Sequence, residues 1–137
     1  MLYEVFHGSR DRILKLTRSP MYASRDLGVA VSYAKNRHSA DVTYVHRLIF
    51  DIKKAATGAD IMAAMERTGG EPADLLSVAH ALSYKRVLSF LRGMGFDGAV
   101  DVVDFSFDGP EEVEVLVVFD ASSQVELVDQ DPYMVFE

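Results

Sequence analysis

Three kinds of side chain in this sequence can act together on a small polar substrate. His7 ends the stretch Met1–His7 and is followed at once by Gly8 and Ser9. A neutral imidazole at a strand end can bond a sugar hydroxyl, and a glycine beside it lets a planar amide approach the main chain closely. Tyr22 and Tyr33 follow, with ten residues between them. Two facing phenol rings can clamp a flat cation, because an aromatic face attracts a desolvated positive charge. Glu111, Glu112 and Glu114 stand much later, at the start of a valine-rich run. A carboxylate beside a sugar stabilises the positive charge that develops when a glycosidic bond breaks. Each member also has an ordinary structural reading. His7 can be a partly buried histidine with one hydrogen bond, the tyrosines core aromatics, and the acids a solvated loop.

The elements that must position these groups are legible from pattern. Met1–His7 reads as a strand of mostly β-favouring residues, broken by Gly8 and Ser9. Asp11–Leu16 fits one helical turn or a second short strand. Ser19-Pro20 reads as a turn and Met21–Ser24 as a short extended segment. Ser24 or Asp26 can cap a helix from about Leu27 to Arg37, whose stripe is Leu27, Ala30, Val31 and Ala34. Val42–Ile52 is a long strand, and neither of its faces is purely apolar, which argues against burial on both sides. Lys53–Gly58 reads as a connector. Asp60–Thr68 predicts a short helix, stopped by Gly69 and Gly70. Glu71–Asp74 opens a longer helix with Leu75, Val78, Ala79, Leu82, Val87, Phe90 and Leu91 as its stripe. Ala99–Phe107 is a strand interrupted by Asp101 and Asp104, whose spacing places them on opposite faces. Val113–Phe119 is the most clearly buried strand, and Val125–Val128 one more, before a short tail. Strands at both ends around a helical middle predict an α+β domain covering residues 1–137.

Composition narrows the function classes. With 137 residues the chain can build one domain with a real core, and 49% hydrophobic residues place it among globular proteins. A formal charge of −7 disfavours nonspecific nucleic-acid binding through phosphates. No cysteine is present, which excludes disulfides and thiolate metal sites. No apolar run reaches the ~18 residues of a membrane span, and Glu4 and His7 inside the first apolar segment argue against a signal peptide. His38, His46 and His80 lack metal-site spacing, so no metal is expected. Gly93-Met94-Gly95-Phe96-Asp97-Gly98 matches G-x-G-x-x-G literally. It follows a helix and precedes a strand, the reverse of a dinucleotide-binding turn, so its glycines read as a helix end and a turn. Ser9 has no G-x-S-x-G context.

His7-Gly8-Ser9, the Tyr22 to Tyr33 segment, Phe96-Asp97-Gly98 before a valine-rich strand, and Val117-Val118-Phe119-Asp120 occur in an order that resembles the ADP-ribosyltransferase family. The branch is the one with a His-Tyr-Glu signature, which includes diphtheria-type toxins and the poly-ADP-ribose polymerases. The resemblance implies two packed, mostly antiparallel sheets with flanking helices. It implies NAD as the donor substrate, with His7 on a ribose, Gly8 and Ser9 on the nicotinamide carboxamide, and Tyr22 and Tyr33 around the ring. Glu114 is the expected catalytic glutamate, since Glu112-Val113-Glu114 is similar to the family's Glu-x-Glu loop end. Relatives often place that glutamate five positions before the aspartate of Val-Val-Phe-Asp, and here that position is Val115. Either a bulge restores the geometry, or Glu112 or Asp108 acts, or the site is degenerate.

The implied activity is mono-ADP-ribosylation of a macromolecular acceptor, a protein by preference, with acceptor choice resting on the Asp108–Glu112 loop. By analogy with small family members, the setting is cytoplasmic, as a phage or bacterial effector or a toxin with a neutralising antitoxin. A binding module on the same fold and an NAD glycohydrolase are the competing readings. A phosphotransferase acting on RNA is disfavoured by the acidic charge.

Overall fold

A computed structural model describes residues 1–16, 19–37, 42–71, 77–105, 112–129 and 132–136. The described residues form an α+β structure of eight strands, in two four-stranded sheets, and four helices. The first sheet is built on β3 (Val42–Asp51), which pairs antiparallel with β1 (Leu2–Ser9), β7 (Val125–Leu127) and β8 (Tyr133–Phe136). The second runs β2 (Met21–Ala23), β6 (Glu112–Val118), β5 (Gly98–Phe105) and β4 (Ala55–Ala56), with β4 parallel to β5 and the rest antiparallel.

The layers follow from strand alternation. Val5, Leu48 and Phe50 from the first sheet meet Met21, Ala23, Leu116 and Val118 from the second, and this cluster fills the space between the sheets. The other face of the first sheet is covered by α1 (Leu27–Arg37), through Ala30 and Ala34 against Val45 and Val135. The outer face of the second sheet carries Val102, Val115 and Val117. It packs on α2 (Gly58–Arg67), a 3₁₀ turn (Ala79–Ser83) and α3 (Lys85–Gly93). The fourth helix, α4, is the single turn Ala121–Gln124. Among the described residues no helix is long and apolar enough to cross a membrane.

Several expectations are corrected by packing. β3 is buried on both faces where α1 overlies it: Thr43 and Val45 on one side, His46, Leu48 and Phe50 on the other. Asp11–Leu16 forms neither helix nor strand. Part of the connector after β3 is the strand β4, held by Asp97, whose carboxylate accepts from the main-chain N–H groups of Lys53 and Lys54. The start of the long middle helix, 72–76, lies outside the described residues. The rest of that helix is split at Tyr84, whose extended backbone separates the 3₁₀ turn from α3. α2 starts earlier than expected, at a capping box in which Thr57 and Asp60 exchange hydrogen bonds. The expected tail is β8, a paired strand.

Gly8 is fixed by close approach rather than by a turn. A Cβ there would lie 2.9 Å from the Ala30 carbonyl oxygen and 3.0 Å from Ala34 Cβ. Only a bare Cα lets α1 sit this tightly on β1. Gly8→Ala is therefore expected to cost about 1–3 kcal/mol of stability, the range for overpacking a close contact. Urea unfolding at equilibrium measures it, and an unchanged midpoint refutes the assignment.

Candidate functional site

A cleft of about 700 Å³ opens where β1, β2 and α1 come together, a volume in the usual range for a small-molecule site. Its lining includes His7, Gly8 and Ser9 of β1, Arg10 to Lys15 in part, Tyr22 of β2, Tyr33 of α1, and Asp104 of β5. Residues far apart in sequence meet there because each element delivers one of them at its edge or end.

β1 and β2 are joined at one point. The Phe6 N–H donates to the Ser24 carbonyl at 2.7 Å, and the Phe6 carbonyl accepts from the Ser24 N–H at 2.9 Å. Those groups point away from β3, so the alternation of an antiparallel ladder turns the N–H and C=O of Gly8 toward the same open edge. Among the described residues no main-chain group pairs with them there. Gly8 thus offers one donor and one acceptor to whatever occupies the cleft. Between Phe6 and Gly8, His7 faces Tyr22, and its Nδ1 lies 2.5 Å from the Tyr22 carbonyl oxygen. A carbonyl can only accept, so Nδ1 carries a proton in this bond.

Tyr22 and Tyr33 both line the cleft and both pack on the core beneath α2 and α3. The Tyr22 hydroxyl donates to the Ala79 carbonyl at 3.4 Å. The Tyr33 hydroxyl donates to Oδ2 of Asp104 at 2.7 Å, and Oδ1 of Asp104 accepts from the Ser77 hydroxyl at 2.9 Å. Asp104 is therefore a carboxylate inside the cleft wall, oriented by two hydroxyl donors. Ser77 in turn is held by the His80 N–H, which donates to its Oγ at 3.1 Å.

The expected acid lies elsewhere. Leu116 and Val118 point into the space between the sheets, so Glu114 and Glu112 share that face while Val113, Val115 and Val117 share the opposite one. Glu114 is exposed, and it does not line the cleft. Val115, at the position where the resemblance expects glutamate, is fully buried among apolar side chains. Asp108 and Glu111 lie outside the described residues. His7, Gly8, Ser9, Tyr22 and Tyr33 are brought together, and Asp104 joins them. It stood in the sequence only as an interruption of a strand. Its cross-strand neighbour is Val113, on the cleft face of the second sheet. The signal that could have found it is the combination of strand parity with a bulge, and the bulge leaves no mark in the residue pattern.

The cleft's other rim, from Ser9 to Lys15, is tied down from below. The Asp11 N–H donates to Ser9 Oγ at 3.0 Å. His46 is 2% exposed, and its Nε2 bonds the Asp11 carbonyl oxygen at 3.1 Å. Burial lowers the His46 pKa, against a smaller raising effect of that carbonyl. The unfolded chain therefore binds the proton first as pH falls. This contribution to stability is full above the ordinary histidine pKa of about 6.5 and is lost as pH drops through it toward the lowered folded-state value. His46→Gln is expected to flatten the fall in unfolding free energy between about pH 7 and 5, where the native histidine resists protonation. Chemical unfolding across that range checks it, and an unaltered slope in the variant excludes His46 as its source.

Among the described residues no three histidine, aspartate or glutamate side chains are grouped to hold a metal ion. Compared with family models, with curated proteins and with solved structures, the chain gives no match in any of the three.

Proposed function

We propose that the protein is an NAD-consuming ADP-ribosyltransferase, which passes ADP-ribose to a macromolecular acceptor and releases nicotinamide. On this reading the two packed sheets are the ADP-ribosyltransferase-like fold. The observation that carries the reading is the convergence of an imidazole, an open glycine edge, two tyrosines and a carboxylate on one cleft.

The chemistry of the donor set fits NAD as substrate. The His7 imidazole bonds a ribose hydroxyl. The N–H and C=O of Gly8 match the acceptor and donor of a carboxamide, and no side chain stands between them and it. The phenol faces of Tyr22 and Tyr33 favour a flat cationic ring over the neutral nicotinamide that leaves. Loss of that ring puts positive charge on the ribose. The Asp104 carboxylate, fixed in a partly desolvated wall, stabilises that charge without reorganising. Two hydroxyl donors hold its oxygens in place. Glu114 has no part in this assignment, because its strand face is the wrong one.

The acceptor is proposed to be an intracellular protein, approached past the Ser9–Lys15 rim. An effector or toxin role with a neutralising antitoxin belongs to the same proposal. A second reading has an observation behind it: Val115 in the glutamate's expected position favours an NAD- or protein-binding module on the same fold.

Incubation with NAD, with nicotinamide measured by chromatography, separates these readings. Asp104→Asn is expected to slow release by roughly 10²–10³-fold, the usual cost of removing one electrostatic stabiliser. Glu114→Gln is expected to leave the rate unchanged. Release without any macromolecule identifies water as the acceptor, that is, a glycohydrolase. Binding of NAD with no release under any acceptor identifies the module. Failure to bind NAD at all overturns the proposal.

A further inference from the structure

The sheet beneath the cleft contains one irregularity, and it lies two steps from Asp104. β5 and β6 pair Gly98 with Val118 and Ala99 with Val117, then resume with Val102 opposite Val115. Three steps on β5 are matched by two on β6, so β5 carries one extra residue. The extra length is absorbed at Val100 and Asp101. Asp101 has φ +53°, a left-handed backbone at a residue other than glycine. The side chain of Asp101 is held by Arg25 in a two-pronged ion pair, Nε to Oδ1 at 3.0 Å and Nη2 to Oδ2 at 3.1 Å. The guanidinium of Arg25 also lies over the Tyr3 ring, 5.1 Å from its centroid.

The bulge that absorbs the extra residue decides which way Asp104 faces. With it, Asp104 stands opposite Val113, on the face shared by Val113, Val115, Tyr22 and Tyr33. Without it, the ladder begun at Ala99–Val117 would set Asp104 opposite Glu112. A slip of one residue turns every later side chain to the other face. Asp104 would then point between the sheets, and Val103 would meet Tyr33.

We infer that Arg25 and Asp101 form a positioning pair: their ion pair pins the β5 bulge that turns Asp104 into the cleft. The inference rests on the proposed role of Asp104 and adds the device that sets it. Exposed ion pairs contribute little to stability in general. This one is planar, two-pronged and stacked on an aromatic ring, an arrangement that arginine makes and lysine does not. Its place is also specific. Arg25 directly follows Ser24, the residue that bridges β2 to β1 at Phe6. One side chain therefore links the β1 edge that carries His7 to the strand that carries Asp104.

The test uses Arg25→Met, Arg25→Lys and deletion of Asp101 in the full chain. Nicotinamide release and crystal structures are the readouts. Arg25→Met is expected to lower kcat for release by ~10- to 100-fold, the cost of misplacing a catalytic group by about an ångström. The KM for NAD is expected to stay within about twofold, since the tyrosines and Gly8 are untouched. Arg25→Lys is expected to fall between the two. In the crystal structure of Arg25→Met, the Asp104–Tyr33 hydrogen bond is expected to be lengthened or lost; the deletion removes the extra residue, so there the ladder is expected to run regularly with Asp104 still opposite Val113 and bonded to Tyr33 without help from the pair. A wild-type rate with an intact Asp104–Tyr33 bond in Arg25→Met overturns the inference. If the wild-type protein releases no nicotinamide, the enzymatic reading fails on that result, and the crystal structures alone decide whether the pair sets Asp104.

Discussion

The cleft depends on a single point of attachment between two strand edges. β1 closes the first sheet and β2 closes the second, and each would otherwise expose a row of unpaired main-chain groups. Phe6 and Ser24 exchange two hydrogen bonds, and the ladder goes no further. Beyond that bridge the edges diverge, because β1 must follow β3 in its own sheet while β2 follows β6 in the other. The divergence leaves the outer edge of Gly8 without a main-chain partner among the described residues and admits the side chain of His7 to the carbonyl of Tyr22. A continuous sheet would have satisfied the edge and erased the site. A complete separation would have exposed the inter-sheet core around Val5, Ala23 and Leu116.

The far wall of the cleft answers a different constraint. A half-buried carboxylate needs partners, since burial penalises its charge. Asp104 obtains them from α1 and from the segment before the 3₁₀ turn, through Tyr33 and Ser77. These bonds tie the helix on the first sheet to a strand of the second across the mouth of the cleft. Gly8 works toward the same end from below: by letting α1 lie close on β1, it sets the height from which Tyr33 reaches Asp104. The tight packing of one residue and the hydroxyl of another are parts of one geometry.

Much of the frame was legible in the residues, and the reason is local periodicity. β1, β2, α1, β3 and β6 follow from alternation or helical spacing, and the Tyr22 and Tyr33 positions follow with them. The split at Tyr84 was not legible, because the stripe from Val78 to Leu91 satisfies helical spacing across a break that tertiary packing imposes. β8 escaped notice for the opposite reason. Three of its four side chains, Tyr133, Met134 and Phe136, are exposed, so no inward face announces it, and its order comes from main-chain pairing with β3. The G-x-G-x-x-G run was read correctly as a turn. Gly95 has φ +92°, and a Cβ on Gly98 would lie 2.7 Å from the Val117 carbonyl.

The acid that lines the cleft is not the one the resemblance implies. Glu114 is expected from the likeness of Glu112-Val113-Glu114 to a Glu-x-Glu loop end, and a short motif does not say which face of a strand its residues take. On β6 the ladder is regular enough for parity to hold, and parity sends Glu114 between the sheets with Leu116. On β5 an added residue breaks the count, and the same parity then sends Asp104 into the cleft beside Tyr33. Val115 and Asp104 lie on one face of adjacent strands, displaced by one side-chain repeat along the ladder. On the proposed reading, the acid of the cleft therefore comes from the neighbouring strand as Asp104, and no glutamate on β6 is needed for it.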